Sequence, residues 1–196
     1  MKKTFFETIL VVDGDAMHLE YHQKRYESVL QTLNVKVFKD LKEYVKPPKH
    51  GLYRCRIVYD AKNISVEYFE YKKREIKSLK IVYDDEIEYA YKSSSREHLD
   101  KLFAQRGICD DVLIVKDSFI TDTTIANIAL LKDGLWYSPK KPLLCGTTRA
   151  RLLDEKKLIL KDIKVDELGE YSGLALMNAM IDFDIITLDN LKDTIC

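Results

Sequence analysis

The hydrophobic pattern begins with Phe5-Phe6-Glu7-Thr8-Ile9-Leu10-Val11-Val12, a run rich in aromatic and β-branched residues that predicts a strand. Asp13-Gly14 behind it is a hairpin turn signal. The period then changes. Leu19, His22, Tyr26, Val29, Leu30 and Leu33 recur at helical spacing, which predicts an amphipathic helix from about 18 to 33, with a second short one over 38–45. Two prolines and a glycine in Lys46-Pro47-Pro48-Lys49-His50-Gly51 forbid regular structure there. Strand patterns follow at 52–59, 64–71 and 76–83, separated by Asp60-Ala61-Lys62-Asn63 and Lys72-Lys73-Arg74-Glu75, and an antiparallel meander fits that spacing.

Residues 84–91 (DDEIEYAY) are acidic and lack a clear period, which marks a crossover. The chain accordingly divides into a small α+β domain over 1–84, a linker over 85–91 and a second domain over 92–196. In that second part Leu99, Leu102 and Phe103 share one face of a helix that stops at Gly107. Val112-Leu113-Ile114-Val115 and Ile128-Ala129-Leu130-Leu131 are apolar enough for buried strands. Asp133-Gly134 turns the chain into Leu135-Trp136-Tyr137-Ser138.

Charge changes this picture little. The 32 basic residues balance 32 acidic ones, so no bulk field draws the chain to nucleic acid or to a membrane surface. No run approaches the ~18 apolar residues that span a bilayer. The basic start and short apolar stretch of MKKTFFETILVVDGD are interrupted by Glu7, and no small-residue cleavage site precedes Asp13, so the segment reads as a strand of a cytoplasmic protein. Cys55, Cys109, Cys145 and Cys196 form no C-x-x-C pair and have no histidine at ligand spacing. They argue against a metal site and read as idle thiols in a reducing compartment.

Four places carry candidate chemistry. In PLLCGTTRARLL, residues 142–153, a glycine with Thr147 and Thr148 stands at a helix start, where unpaired N–H groups and the positive end of the dipole suit a phosphate; an ordinary N-cap is the alternative. In FITDTTIANIALL, residues 119–131, Asp122 falls in a strand-like region where a carboxylate needs a partner, unless it makes an Asx-turn. Arg25 lies in the first helix, where a solvated arginine is the default. Lys92 separates the acidic tyrosine run from a helix, with three serines behind it. A lysine, a carboxylate, an arginine and a threonine-bearing cradle are the parts needed to hold pyridoxal 5′-phosphate (PLP), with the acid keeping the ring nitrogen protonated.

Along the chain these pieces fall into an ordered series. Phe6-Glu7-Thr8 with Asp13-Gly14 comes first, then Leu19 through His22 to Arg25, then Lys92. Thr121-Asp122 with Asn127 follows, then Asp133-Gly134 with Trp136-Tyr137-Ser138-Pro139, and finally Leu144 to Arg149. From about residue 5 to 182 the series resembles the class IV aminotransferases of PLP fold type IV, which include branched-chain and D-amino-acid aminotransferases and aminodeoxychorismate lyase. The resemblance implies an α+β, two-domain fold, with a small N-terminal α/β domain and a larger, mostly β C-terminal domain that binds PLP. It implies that Lys92 is the Schiff-base lysine, that Arg25 holds the phosphate and that Asp122 meets the pyridine nitrogen where the family has glutamate. Leu144 would lie against the ring, and the following amides with Thr147 and Thr148 would meet the phosphate. A homodimer acting on a small amino substrate follows from the same resemblance, with no nucleic acid, membrane or metal involved.

Within that family three features point to the lyase, which expels pyruvate from 4-amino-4-deoxychorismate. The chain is short, Lys92-Ser93-Ser94-Ser95-Arg96 resembles the lyase K-x-x-x-R, and Thr124-Ile125-Ala126-Asn127 stands where branched-chain enzymes have GMNIF. An aminotransferase acting on branched-chain or D-amino acids with a 2-oxo acid is the alternative. Arg54 and Arg56 alternate along a strand and so share a face; they suit either a bidentate hold on a substrate carboxylate or a surface pair.

Overall fold

The computed structural model describes residues 3–187 with Leu191, Thr194 and Ile195; Cys196 lies outside the described residues. The chain divides into two units. The first takes the chain up to Lys73 and returns for Tyr91–Ser95, and the second comprises Arg74–Ala90 and the chain from Arg96 onward.

In the first unit β1 (Phe5–Val12) turns into β2 (Asp15–Ala16) through Asp13 and Gly14, whose φ angles of 47° and 94° are the left-handed pair that a two-residue hairpin requires. α1 (Leu19–Thr32) turns His22, Tyr26, Val29 and Leu30 inward. α2 (Leu41–Tyr44) is capped by the Asp40 carboxylate, which accepts the Lys42 N–H, and it buries Leu41. β3 (Leu52–Tyr59) pairs antiparallel with all of β1, and β4 (Ile64–Glu70) pairs antiparallel with β3. The sheet order is β2-β1-β3-β4. Phe5, Ile9 and Val11 of β1 meet Cys55, Ile57 and Tyr59 of β3 and the apolar stripe of α1 in one core. Ile9 and Ile57 are fully buried, and trimming either to alanine would cost roughly 2–5 kcal/mol. The two-residue period of a strand sends Phe6, Thr8 and Leu10 to the opposite face, with their register partners Val58, Arg56 and Arg54.

The expected three-strand meander ends at β4. β5 (Leu79–Tyr83) belongs to the second unit and pairs parallel with β6 (Asp111–Lys116), the chain passing through α3 (Glu97–Ala104) on the way; β7 (Phe119–Ile120) adds antiparallel to β6. The reason lies in burial. β4 alternates between half-buried and exposed positions, whereas β5 buries Leu79 and Val82, and β6 is buried from Asp111 to Val115. Parallel strands need cover on both faces, and this pair has it.

β8 (Asn127–Lys132) and β9 (Leu135–Pro139) form a hairpin over Asp133-Gly134. Next come α4 (Thr147–Asp154), β10 (Ile159–Lys161), a 3₁₀ helix (Val165–Glu170), β11 (Gly173–Asn178) and β12 (Asp182–Thr187). These strands make a sheet in the order β10-β9-β8-β11-β12. Ile128, Leu130, Leu174 and Leu176 join Leu79, Leu113, Val115 and Ile163 in the main core, while Ala129 and Met177 face Leu152 of α4. Ile87 and Tyr89 of the acidic run are buried with Leu99, Leu102, Val112 and Ile114.

The architecture is α+β. Among the described residues no helix is long and apolar enough to cross a membrane. Cys55 is a buried thiol and Cys145 an exposed one. Cys109 is disulfide-bonded, so the expectation of idle thiols does not extend to it.

Candidate active site

The first unit holds a charge in an apolar place. Glu7 falls between Phe5 and Ile9 on the inward parity of β1 and is fully buried. A carboxylate there is costly without partners, and α1 provides two of them. His22 Nδ1 donates to Glu7 Oε2 at 2.7 Å, while Arg25 donates through Nε to Oε1 at 2.9 Å and through Nη2 to Oε2 at 2.5 Å. His22 and Arg25 reach the same carboxylate because residues three apart are neighbours on a helix. Burial by itself raises the Glu7 pKa. The charge of Arg25 and the hydrogen bonds from His22 and Arg25 outweigh it and hold the group at about 2. Burial pushes His22 down, with a further push from the charges of Arg25 and Lys92. The ring is therefore neutral at pH 7, and Nδ1 carries the proton that Glu7 accepts. Arg25 is not the solvated arginine that is the default for its position: its side chain is 13% exposed and forked onto Glu7.

Lys92 lies in the Tyr91–Ser95 segment that runs beside β1. The Lys92 carbonyl accepts the Phe6 N–H at 2.9 Å, the Thr4 carbonyl accepts the Ser94 N–H at 2.9 Å, and Phe5 and Ser93 form a bridge. The lysine side chain is half-buried, with Nζ 4.8 Å from the centre of the Phe6 ring. Its main chain is thus fixed while its amine stands on the face of the sheet away from α1.

In the second unit Asp122 follows β7 and bridges to Asn127 at the start of β8; it is not inside a strand. The turn between them is made by Thr123, whose hydroxyl accepts the Ile125 and Ala126 N–H groups, so the Asx-turn alternative for Asp122 is not what forms. Asp122 instead reaches across the chain. Its Oδ1 accepts from Asn127 Nδ2 at 2.7 Å and its Oδ2 from the Leu144 N–H at 2.9 Å. Asn127 Nδ2 also donates to the Leu144 carbonyl at 2.8 Å. Both backbone groups of Leu144 are therefore clamped, while its side chain packs against the cluster of Val112 and Ile114.

Gly146 precedes α4 in extended geometry, and no side-chain cap is made at this end. Thr147 and Thr148 are the first helical residues and are buried. The helix start thus offers its N–H groups, the positive end of the dipole and two hydroxyls. Burial lifts the Asp122 pKa to about 6, against the opposing hydrogen bonds from Leu144 and Asn127 and the charge of Arg149. Arg149 is itself buried on neutral acceptors, with Nε donating to Ser138 Oγ at 3.0 Å and Nη2 to the Pro139 carbonyl at 2.7 Å. A buried acid lifted this far gains from a cation beside it, which a protonated pyridine supplies, and an uncapped helix start suits a phosphate. The donor set fits PLP.

Arg96 is held within the second unit, donating to the Tyr89 hydroxyl at 3.2 Å and to the Thr124 carbonyl at 2.8 Å. The roles of Glu7, Asn127 and Arg149 are not visible as chemistry in the bare sequence. For Glu7 the signal exists, as an acid on the apolar parity of a strand. For Asn127 and Arg149 the pairing depends on segments that meet only after folding.

Fold and donor set define a PLP-dependent enzyme of fold type IV. Residues 4–187 match the family described as Amino-transferase class IV, and the chain belongs to that family. It is 36% identical over 181 residues to an uncharacterized protein of Haemophilus influenzae, covering 89% of this chain and 96% of the other. Among solved structures it is similar to a "putative 4-amino-4-deoxychorismate lyase" from Haemophilus somnus 129PT, at 35% identity and a TM-score of 0.85, over 92% of this chain and 97% of that one. It shares its fold with the branched-chain amino acid aminotransferase of Escherichia coli, at 11% identity and a TM-score of 0.75, over 96% of this chain and 79% of that one.

Proposed function

We propose that this protein is a PLP-dependent lyase that converts 4-amino-4-deoxychorismate to 4-aminobenzoate and pyruvate, supplying folate synthesis. The observation that carries this reading is the 35% identity with the Haemophilus somnus protein over nearly the full length of both chains. The Lys92-Ser93-Ser94-Ser95-Arg96 spacing supports it. PLP, when bound, supplies the electron sink. In the first unit Lys92 Nζ would be the attachment point and the group that gives and takes protons, and Arg25 would hold the phosphate. In the second unit Asp122 would set the charge on the ring nitrogen, Leu144 would support the ring, and Thr147 and Thr148 with their backbone amides would bind the phosphate. A cytoplasmic homodimer is the setting this reading implies.

The test is to incubate the purified enzyme with 4-amino-4-deoxychorismate, and separately with branched-chain or D-amino acids plus 2-oxoglutarate. Release of 4-aminobenzoate and pyruvate is expected in the first mixture. Amino transfer in the second, with no 4-aminobenzoate in the first, would make the protein an aminotransferase instead.

A further inference from the structure

The turn that follows Asp122 is gripped from outside by a cation. Asp122 and Asn127 pair across it, and they stand side by side only while 123–126 stays folded. Inside the turn the Thr123 N–H donates to the Ala126 carbonyl at 2.9 Å. Thr124 is buried and held at two points. Its carbonyl accepts from Arg96 Nη2 at 2.8 Å, and its hydroxyl donates to Asp111 Oδ1 at 2.7 Å. The next residue, Ile125, is 42% exposed, and its carbonyl accepts from Asn178 Nδ2 at 3.2 Å where water competes. The middle of the turn therefore depends on the polar grip on Thr124 more than on apolar packing.

Arg96 is itself well fixed. Its carbonyl accepts the Asp100 N–H at 2.8 Å at the start of α3. Its guanidinium lies over the Tyr89 ring, with Cζ 5.6 Å from the ring centre, and Nη1 donates to the Tyr89 hydroxyl at 3.2 Å. Tyr89 in turn is packed with Leu99, Leu102, Val112 and Ile114. The ionic neighbour of Arg96, the exposed Asp100, is 3.9 Å from Nε, beyond hydrogen-bond reach, and such an exposed pair is worth little. The stronger bond of Arg96 is the charge-assisted one to the Thr124 carbonyl.

We infer that Arg96 is a positioning residue for Asp122, holding through Thr124 the turn that keeps the carboxylate on Asn127 and Leu144. This rests on the reading of Asp122 as the partner of the ring nitrogen. The grip matters to that partnership because the interaction of two charges falls with their separation. The role needs no contact between Arg96 and PLP or substrate.

The experiment compares native protein with Arg96→Met, Arg96→Lys, Asp100→Asn and the milder Tyr89→Phe. Amide hydrogen exchange of the cofactor-free proteins is read at the Leu144 N–H, which donates to Asp122, and at the Leu79 N–H, which donates to the Thr194 carbonyl. Leu144 should exchange at least ~10-fold faster in Arg96→Met and less so in Arg96→Lys and Tyr89→Phe, while Leu79 stays within about threefold. Asp100→Asn should match the native protein. The second readout is the NMR shift of the pyridine nitrogen in holoenzyme loaded with ¹⁵N-labelled PLP. It should move toward the unprotonated ring in Arg96→Met and partway back in Arg96→Lys. Equal acceleration of Leu144 and Leu79 in both Arg96→Met and Tyr89→Phe would make Arg96 a general support and overturn the inference. No acceleration at Leu144, an Asp100→Asn variant that behaves like Arg96→Met, or an unmoved pyridine signal would overturn it as well. An unprotonated ring in the native holoenzyme would overturn the reading of Asp122 instead, and the Leu144 contrast would still decide the grip.

Discussion

Asn127 occupies the space that a side chain at position 146 would need. A Cβ built on Gly146 would lie 2.0 Å from Asn127 Oδ1. Asn127 has little freedom to yield, because its Nδ2 is committed to both Asp122 and Leu144. Gly146→Ala is therefore expected to destabilise the protein by about 1–3 kcal/mol, the usual cost of overpacking, and to weaken PLP binding by loosening Leu144 and the helix start together. Gly169→Ala, where an added Cβ meets nothing within 4 Å, should leave both nearly unchanged. Denaturant titration and PLP titration of the two variants check this.

Removing the charge of Glu7 should be among the more damaging single changes in the first unit. Glu7→Gln leaves the forked Arg25 without its counter-charge, and breaking a buried pair from one side costs about 3–5 kcal/mol. The sign of the pH effect follows from the depressed pKa. Glu7 contributes stability that is present above 4.5 and is lost as pH falls toward about 2. The stability gap between native protein and Glu7→Gln should therefore narrow across that window, as measured by denaturant midpoints at each pH.

Arg25→Ala should weaken PLP affinity by ~1.5–3 kcal/mol, the size of hydrogen bonds to charged groups. It should also lower stability, since Glu7 then keeps only His22 of its two α1 partners. An equilibrium dissociation constant for PLP that does not change would assign Arg25 to the Glu7 pair alone.

Lys92→Ala should lose covalent attachment of PLP while leaving the first unit's sheet intact, because the Lys92 hydrogen bond to Phe6 uses its carbonyl. Borohydride reduction followed by intact mass measurement reads this directly. A reduced adduct that persists in the variant would move the attachment point to another lysine.

Asp122→Asn should keep PLP but lose at least ~100-fold in turnover, the low end of what one well-placed electrostatic group is worth. The cofactor-free protein gives a second readout. With its pKa raised from 3.8 to about 6, Asp122 contributes stability that is full below 3.8 and is lost as pH rises through about 6. The asparagine variant should lack that decline. It should also pay ~1 kcal/mol for a mismatched hydrogen bond, since its amide cannot accept from both Leu144 and Asn127 as the carboxylate does. Asp122→Glu tests reach: activity is retained if the clamp tolerates another methylene and lost if Leu144 is displaced.

Much of the first unit was legible because its signals are local. The bounds of β1 and β3, the Asp13-Gly14 hairpin and the face of α1 all follow from short-range periodicity and turn chemistry. The partner of β5 was not legible, because 76–83 is as good a third hairpin strand as a parallel one. Only the buried run of β6, a helix away in sequence, decides between them. The order of motifs identified the candidate residues, yet their roles within each unit depended on contacts over longer separations. Asp122 meets Leu144 and Glu7 meets Arg25 only once the strands and helices are packed, so the partner that the Asp122 carboxylate needs could not be named from the sequence.

The Tyr91–Ser95 segment has a consequence for how the chain avoids self-association. On the side of β1 away from β3, β2 covers only Val11 and Val12. Farther back along β1, the Lys92 carbonyl and the Ser94 N–H take up the Phe6 N–H and the Thr4 carbonyl. A fragment ending at Lys73 would lose that cover and present an open row of backbone groups beside Phe5 and Phe6. Such a row is a template for another chain's strand. The stretch that carries Lys92 thus also acts as a guard against edge-to-edge aggregation, so the small unit is safest when the chain has already been made through Ser95.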